Sequence, residues 1–264
     1  MATKIIVCVK QVLDPETPLS AFKIDRDAKK AVFPPGADPV INGFDEVAVE
    51  AALQIKESAG ASITVLSMGK TFVPDVIRKP LAMGADELIL LQDDAFETPD
   101  SYIVANILAA AIRKIGGFDL ILCGRQASDW DNAQVPLGLA ELMNLPCLSI
   151  AKKVDLVDGH VRVHRVTADG YEIAEAPLPA VVTVSNELGE PRTPTIKGIM
   201  AAAGAKPTVW GRDDLGVDVA GLARIEMADV FIPVRERRCE FIEGEDEADA
   251  GRKLALKLRE AKII

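Results

Sequence analysis

The stretch DLILCGRQASDWDNAQVPLG, residues 119–138, decides the fold. Its first part, after Asp119, is an apolar run ending in glycine. Short apolar runs without polar alternation read as strands covered on both faces. Its last part opens a second apolar pattern, with Pro136 where a helix first turn loses little by lacking an N–H. Between them lie Gly124, two aspartates, an asparagine and two glutamines. Strand, polar loop and helix in that order form the unit of a parallel α/β sheet. Helix N-termini at such junctions present unpaired N–H groups, and many α/β proteins bind nucleotides there.

The same alternation continues upstream. Residues 4–10 read as a buried strand, 44–58 as a helix with Val47, Ala51 and Ile55 at helical spacing, and 62–67 as a strand. Residues 72–84 read as a helix that Pro80 must kink or start, 87–92 as a strand, and 100–117 as a long helix ended by glycine. Asn42 is placed to cap the 44–58 helix, and Asp45 and Glu46 suit its first turn. This order predicts an α/β fold: a mostly parallel, Rossmann-like sheet with helices on both faces. Ligands in such sheets lie beyond the carboxyl ends of the strands, here Cys8–Lys10, Ser67–Gly69 and Cys123–Arg125.

After about residue 150 the pattern changes. Asp158-Gly159 sits between alternating runs, a hairpin signal. Together with ADGYEI and LPAVVTVS it predicts an antiparallel extension of the sheet. Residues 186–207 read as a surface loop leading into a short apolar helix. Residues 208–246 show little periodicity and read as an arm, and the tail is helical. The organisation expected is an α/β nucleotide-binding domain over 1–185, a partner-recognition segment over 186–207, and a C-terminal arm and helix over 208–264.

Composition narrows the function. A net charge of −10 argues against nucleic acid as a partner. No run of about 18 apolar residues exists, so no membrane span is expected. Of the four cysteines, Cys8, Cys123 and Cys147 lie in apolar runs without CxxC spacing; Cys239 is the fourth. They read as free thiols in a reducing compartment. Two histidines, His160 and His164, in one strand pattern leave no histidine-based metal or triad site. The N-terminus runs almost directly into a strand without signal-peptide regions, so a prokaryotic cytoplasm is expected, with the mitochondrial matrix as the alternative.

VLSMGKT, residues 65–71, resembles the end of a phosphate-binding loop, but its leading glycine would fall at Thr64 inside a strand. It reads as a plain turn. In the 124–138 stretch, N–H groups from about Asn132 to Val135 suit a phosphate. Asp129 and Asp131 would repel one, and fit better as caps, turn formers or ribose acceptors. Gly124 would let a ligand approach the backbone. The competing reading is a capped, solvated helix start. Asn42, Gly43, Phe44 and Asp45 likewise suit an adenine or ribose contact, or ordinary capping.

Several stretches in order resemble the β subunit of electron-transfer flavoprotein: KIIVCVKQVLD, INGFDEVAVEAALQIKE, LAMGADE, DLILCGRQASDWDNAQ, VHRVTADGYEI, LPAVVTVSNELGEPRTPTIKGIM and DDLGVD. One departure is Ala168, where that family usually has an acidic residue before Asp169-Gly170. The resemblance implies a subunit that does no bond-making chemistry of its own. It implies an α subunit that carries most of a redox FAD site, and acyl-CoA dehydrogenase-type flavoenzymes as electron donors. It implies a structural AMP in the β subunit, held by Cys8, by Asn42, Gly43, Phe44 and Asp45, by Met68, and by the loop of Gly124, Arg125, Gln126, Ala127, Ser128, Asp129, Trp130, Asp131, Asn132, Ala133, Gln134 and Val135. In electron-bifurcating members a second FAD takes the AMP position. Those members resemble DGDTAQVGP where this chain has DWDNAQVPL: Trp130 and Pro136 replace glycines, which favours AMP, while the shared AQV core keeps a second FAD in place of AMP as the alternative. The family's recognition loop corresponds to Glu190, Pro191, Ile196, Ile199 and Met200, with Ile196 at the place of an anchoring leucine. The rivals are a stand-alone ATP-binding protein, disfavoured because VKQVLD follows the first strand in place of SGGxDS, and a structural subunit without ligand.

Overall fold

The computed structural model describes residues 2–27, 29–32, 36–37, 39–98, 100–233 and 239–264. Its elements run β1 (Thr3–Val9), β2 (Gln11–Leu13), β3 (Lys23–Asp25), β4 (Lys30–Val32), β5 (Pro39–Ile41), α1 (Gly43–Ala59), β6 (Ala61–Gly69), α2 (Pro74–Ile77), α3 (Lys79–Met83), β7 (Glu87–Gln92), α4 (Ser101–Ile115) and β8 (Leu120–Gly124). They continue with α5 (Val135–Met143), β9 (Cys147–Val157), β10 (His160–Thr167), β11 (Gly170–Pro177), β12 (Ala180–Val184), α6 (Ile196–Ala203), β13 (Thr208–Trp210), α7 (Arg212–Leu215), α8 (Val219–Leu222) and α9 (Glu247–Glu260). Residues 234–238 of the expected arm lie outside the described residues.

Nine strands form one sheet in the order β11-β10-β9-β12-β8-β1-β6-β7-β13. β1 pairs in parallel with both β6 and β8. The expected fold class holds. The sheet carries apolar clusters on both faces. Ile5, Val7, Ile63, Val65, Leu120, Leu122 and Val182 pack with α1 on one face. Ile6, Leu66, Leu91, Ile121 and Val181 pack with α4 and α5 on the other. Alternate residues of each strand face opposite layers, which is why these strands read as unbroken apolar runs.

Pro80 interrupts the 72–84 helical stretch, as its sequence requires. α2 ends at Ile77 and α3 begins at Lys79, with Pro80 in the first turn of α3. Proline removes an N–H and restricts the residue before it, so the helix restarts there. The hairpin extension is antiparallel through β9, β10 and β11, and Asp158 and Gly159 both have positive φ, 48° and 77°, as a two-residue turn requires. LPAVVTVS, however, does not extend the sheet antiparallel. β12 lies inside it, parallel to β8 and to β9. All five of its residues are buried, so it is a covered central strand. Thr208–Trp210, in the stretch of little periodicity, pairs in parallel with β7 as the ninth strand.

Two compact units divide the chain, Met1–Asp229 and Val230–Ile264. The second contains α9, capped by Asp246, whose side chain accepts from Asp249 N at 2.7 Å. α9 has no buried residue, and Leu254, Leu256 and Phe241 are exposed in this unit.

Candidate functional site

Connections from β1 lead to β6 and β7 on one side, and α4 returns the chain to β8 on the other. The strand order therefore reverses between β1 and β8, and the crevice beyond their carboxyl ends is the expected ligand position of an open α/β sheet. α1 points its N-terminus into this crevice.

Asp45, in the first turn of α1, bridges the two strand ends. Its carboxylate accepts from Lys10 N at 2.8 Å and from Gly124 N at 3.1 Å. It is buried, so it does not serve as a solvated first-turn charge. Burial pushes its carboxyl up to about 7 from the ordinary 3.8, although hydrogen bonds from Asn42, Lys10 and Gly124 oppose the rise. Asn42 occupies the N-cap position of α1 but makes no side-chain cap. Instead Nδ2 donates to Gln126 O at 2.8 Å, and Oδ1 accepts from Ser128 N at 3.1 Å. The expected caps are thus tertiary clamps: fully buried polar groups take whatever partners the fold brings, and here these are the strand ends and the 124–134 loop.

Gly124 is required for close packing. A Cβ there would overlap Asp45 Oδ1 and stand 2.7 Å from Phe44 C and 2.8 Å from Asp45 N. The space expected for a ligand against Gly124 is taken by α1.

The rest of the loop is tied at its rim. Lys10 Nζ donates to Asp129 Oδ1 and Oδ2 at 2.8 and 2.7 Å. Gln126 Nε2 donates to Asp131 Oδ1 at 2.7 Å. The Arg125 guanidinium lies 4.8 Å from the Phe44 ring centre, and Arg125 N donates to Val184 O at 3.0 Å. Asp131 and Ala133 adopt left-handed φ of 51° and 53°, which costs an L-residue about 1 kcal/mol each. Such outliers gather at ligand sites. Asn132, Ala133 and Gln134 are exposed beside them, Val135 opens α5, and Trp130 is 48% exposed on the rim.

Every sequence-predicted cofactor residue lies at this end of the sheet. Asn42, Phe44, Asp45, Gly124, Arg125, Gln126, Ser128, Asp129 and Asp131 are joined by the contacts above. Gly43 begins α1, and Ala127 O accepts from Asp131 N at 2.8 Å. Cys8 is the next-to-last residue of β1, is buried, and shares its layer with Cys123 and with partly buried Met68, the one that α4 and α5 cover. A hydrogen bond with the Cys8 thiol, together with burial, holds the Cys123 thiol well above its ordinary range, so Cys123 is inert rather than nucleophilic. Among the described residues no group of acidic, cysteine or histidine side chains can hold a metal ion, and no helix is long and apolar enough to cross a membrane.

Arg125 Nε is buried without a hydrogen-bond partner. An unpaired guanidinium N–H beside a loop with left-handed backbone fits an anionic or polar ligand such as a nucleotide. No local sequence signal marks Lys10 as a loop anchor, because Asp129, whose carboxylate its ammonium meets, is 119 residues away.

The second predicted cluster is separate. Glu190 and Pro191 lie in the loop before α6, and Ile196, Ile199 and Met200 lie on α6 itself. Thr195 caps that helix, its Oγ1 accepting from Gly198 N at 3.1 Å. Ile196 is 80% and Met200 73% exposed, a ridge of apolar side chains in water.

A mostly parallel α/β sheet with a polar loop at its switch point defines the class of Rossmann-like α/β folds. Within it, the model of the electron transfer flavoprotein domain matches residues 35–215. A protein named caffeyl-CoA reductase-Etf complex subunit CarD, from Acetobacterium woodii, is 36% identical over 99% of this chain and 100% of its own. An electron transfer flavoprotein subunit beta from Thermoanaerobacterium thermosaccharolyticum is 41% identical over 81% of this chain and 80% of its own. Another of the same name, from Mycobacterium bovis, is 35% identical over 99% and 100%. The chain belongs to the electron transfer flavoprotein β-subunit family. It is accordingly one subunit of a flavin-associated electron carrier that an α subunit completes.

Proposed function

We propose that this β subunit holds an AMP in the 124–135 loop, pairs with an α subunit that carries most of the redox FAD site, and docks acyl-CoA dehydrogenase-type flavoenzymes through α6. The observation that carries the nucleotide assignment is the loop itself: it is clamped to α1 by Asn42 and Asp45 at the switch point, with Arg125 Nε left unpaired. FAD supplies the electron storage when bound. The residues of this chain hold and orient. Asn42 and Lys10 fix the loop, and N–H groups of residues 132–135 face a nucleotide phosphate at the start of α5. Arg125, stacked on Phe44, offers its Nε to the same ligand. A buried nucleotide that binds only the native state stabilises the fold by mass action.

A second reading places a second FAD in the same loop, as in electron bifurcation. The 36% identity to the CarD subunit of a caffeyl-CoA reductase-Etf complex, end to end, favours it. The rim position of Trp130 favours AMP, because an indole there crowds a ring system larger than adenine. The test is the double variant Asn132→Ala, Gln134→Ala in the αβ complex. Reduced nucleotide retention and reduced heterodimer yield are expected; normal content and assembly overturn the site assignment.

A further inference from the structure

α6 is only eight residues long, and a helix of that length does not hold itself in water. Two attachments hold it. The first is Arg192, four residues before the helix. Its Nε donates to Glu50 Oε2 at 2.8 Å and its Nη2 to Glu50 Oε1 at 3.0 Å. Nη1 and Nη2 donate to the two oxygens of Glu57 at 2.5 and 3.3 Å, and the Arg192 backbone N donates to Glu50 Oε2 at 3.1 Å. Both carboxylates belong to α1, so one guanidinium fork spans two turns of that helix. Burial opposes ionisation of Glu50, but the Arg192 hydrogen bonds outweigh it and hold its carboxyl below the ordinary range. The second attachment is Gly198. A Cβ there would overlap the Ala82 carbonyl oxygen of α3 and come within 3.3 Å of Ala82 C. Ala202, one turn on, is buried on the same side. Gly198 and Ala202 therefore face the body, and Ile196, Ile199 and Met200 face away.

We infer that Arg192 is a positioning residue for partner docking: its fork on Glu50 and Glu57 sets the angle at which the Ile196–Ile199–Met200 ridge meets a flavoenzyme, without Arg192 touching that partner. The inference rests on the docking reading of α6. Only Glu50 of the three is buried, and ion pairs that remain open to solvent, as that of Arg192 with Glu57 does, add little stability. A bidentate guanidinium does fix orientation, which lysine, a point charge, does not.

The test uses the FAD-loaded αβ complex and an acyl-CoA dehydrogenase reduced by its acyl-CoA substrate. Flavin reduction is followed against dehydrogenase concentration for wild type, Ile196→Ala, Arg192→Lys, Glu57→Gln and the Arg192→Lys, Ile196→Ala double variant. Arg192→Lys is expected to raise KM for the dehydrogenase about tenfold, more than it lowers kcat, with FAD content and Tm retained. In its background Ile196→Ala is expected to cost less than in wild type, since both act on one contact. Glu57→Gln, exposed and conservative, is expected to give a smaller rise in KM, and it keeps the test open should Arg192→Lys assemble poorly. An unchanged KM in both clamp variants, or an Ile196→Ala penalty undiminished by Arg192→Lys, overturns the inference while the docking reading stands. An Ile196→Ala variant with wild-type KM overturns the docking reading and the inference together.

Discussion

Asp45→Asn tests the clamp at the switch point through its pH dependence. In the folded chain the Asp45 carboxyl is pushed from the ordinary 3.8 to about 7 by burial. A carboxyl whose folded value is raised binds its proton more tightly in the native state. Its stabilising contribution is therefore complete below about pH 4 and is lost as pH rises through about 7. The whole rise is worth roughly 4 kcal/mol at 1.36 kcal/mol per pH unit, of which about 3 kcal/mol falls between pH 5 and pH 8. Asparagine removes this titration. It also turns an amide N–H toward one of two backbone donors, Lys10 N or Gly124 N, at a pH-independent cost of about 1–3 kcal/mol. The variant is thus expected to be less stable than wild type at pH 5, with the gap closing or reversing at pH 8. Thermal unfolding of the αβ complex at pH 5, 6, 7 and 8, wild type beside variant, reads this difference. Every other group titrates alike in both and cancels. At about 2–4 °C per kcal/mol, the difference in Tm is expected to move by roughly 6–12 °C over the range. A difference that stays constant with pH refutes the buried, protonating clamp.

Gly124→Ala forces a Cβ into the backbone of Phe44 and Asp45, and is expected to cost about 1–3 kcal/mol, read as a fall in Tm of the complex. Asn42→Ala removes two bonds to the loop at about 1 kcal/mol each; amide exchange at Gln126–Asp131 is expected to rise while β1 and β8 stay protected. Ile196→Ala is expected to slow electron transfer from an acyl-CoA dehydrogenase and to leave flavin content intact, read by stopped-flow flavin absorbance. In acid, the hold of Arg192 on Glu50 is expected to persist below the ordinary carboxylate value of 4.5, because the folded carboxyl is depressed and its contribution is lost only as pH falls through that lower value; titration of the Glu50 carboxyl by NMR checks it.

The first half of the fold is legible in the chain because its strands are apolar runs and its helices carry one clear stripe, as in residues 87–92 and 100–117. The position of the loop is legible for the same reason: a polar segment between a buried strand and a proline-started helix has one place to go. LPAVVTVS is misread because its neighbours in sequence are hairpin strands, while its neighbours in space are β8 and β9. β13 is too short for a pattern, and the free edge of β7 makes it a strand through the pairing of Val209 with Leu90. Asn42 and Asp45 stand where local rules put caps, yet partners 84 and 79 residues away take their side chains. Arg192 and Glu50 are 142 residues apart, and no local spacing signals their pairing.

The nucleotide content of the co-expressed αβ complex tests the central claim most directly. The complex is denatured, the released nucleotides are identified by mass spectrometry, and FAD is quantified per heterodimer. One FAD and one AMP is the predicted result, lost in the Asn132→Ala, Gln134→Ala variant. Two FAD and no AMP moves the assignment to the second reading of the same loop. A single FAD with no second nucleotide contradicts the claim that residues 124–135 are a nucleotide site.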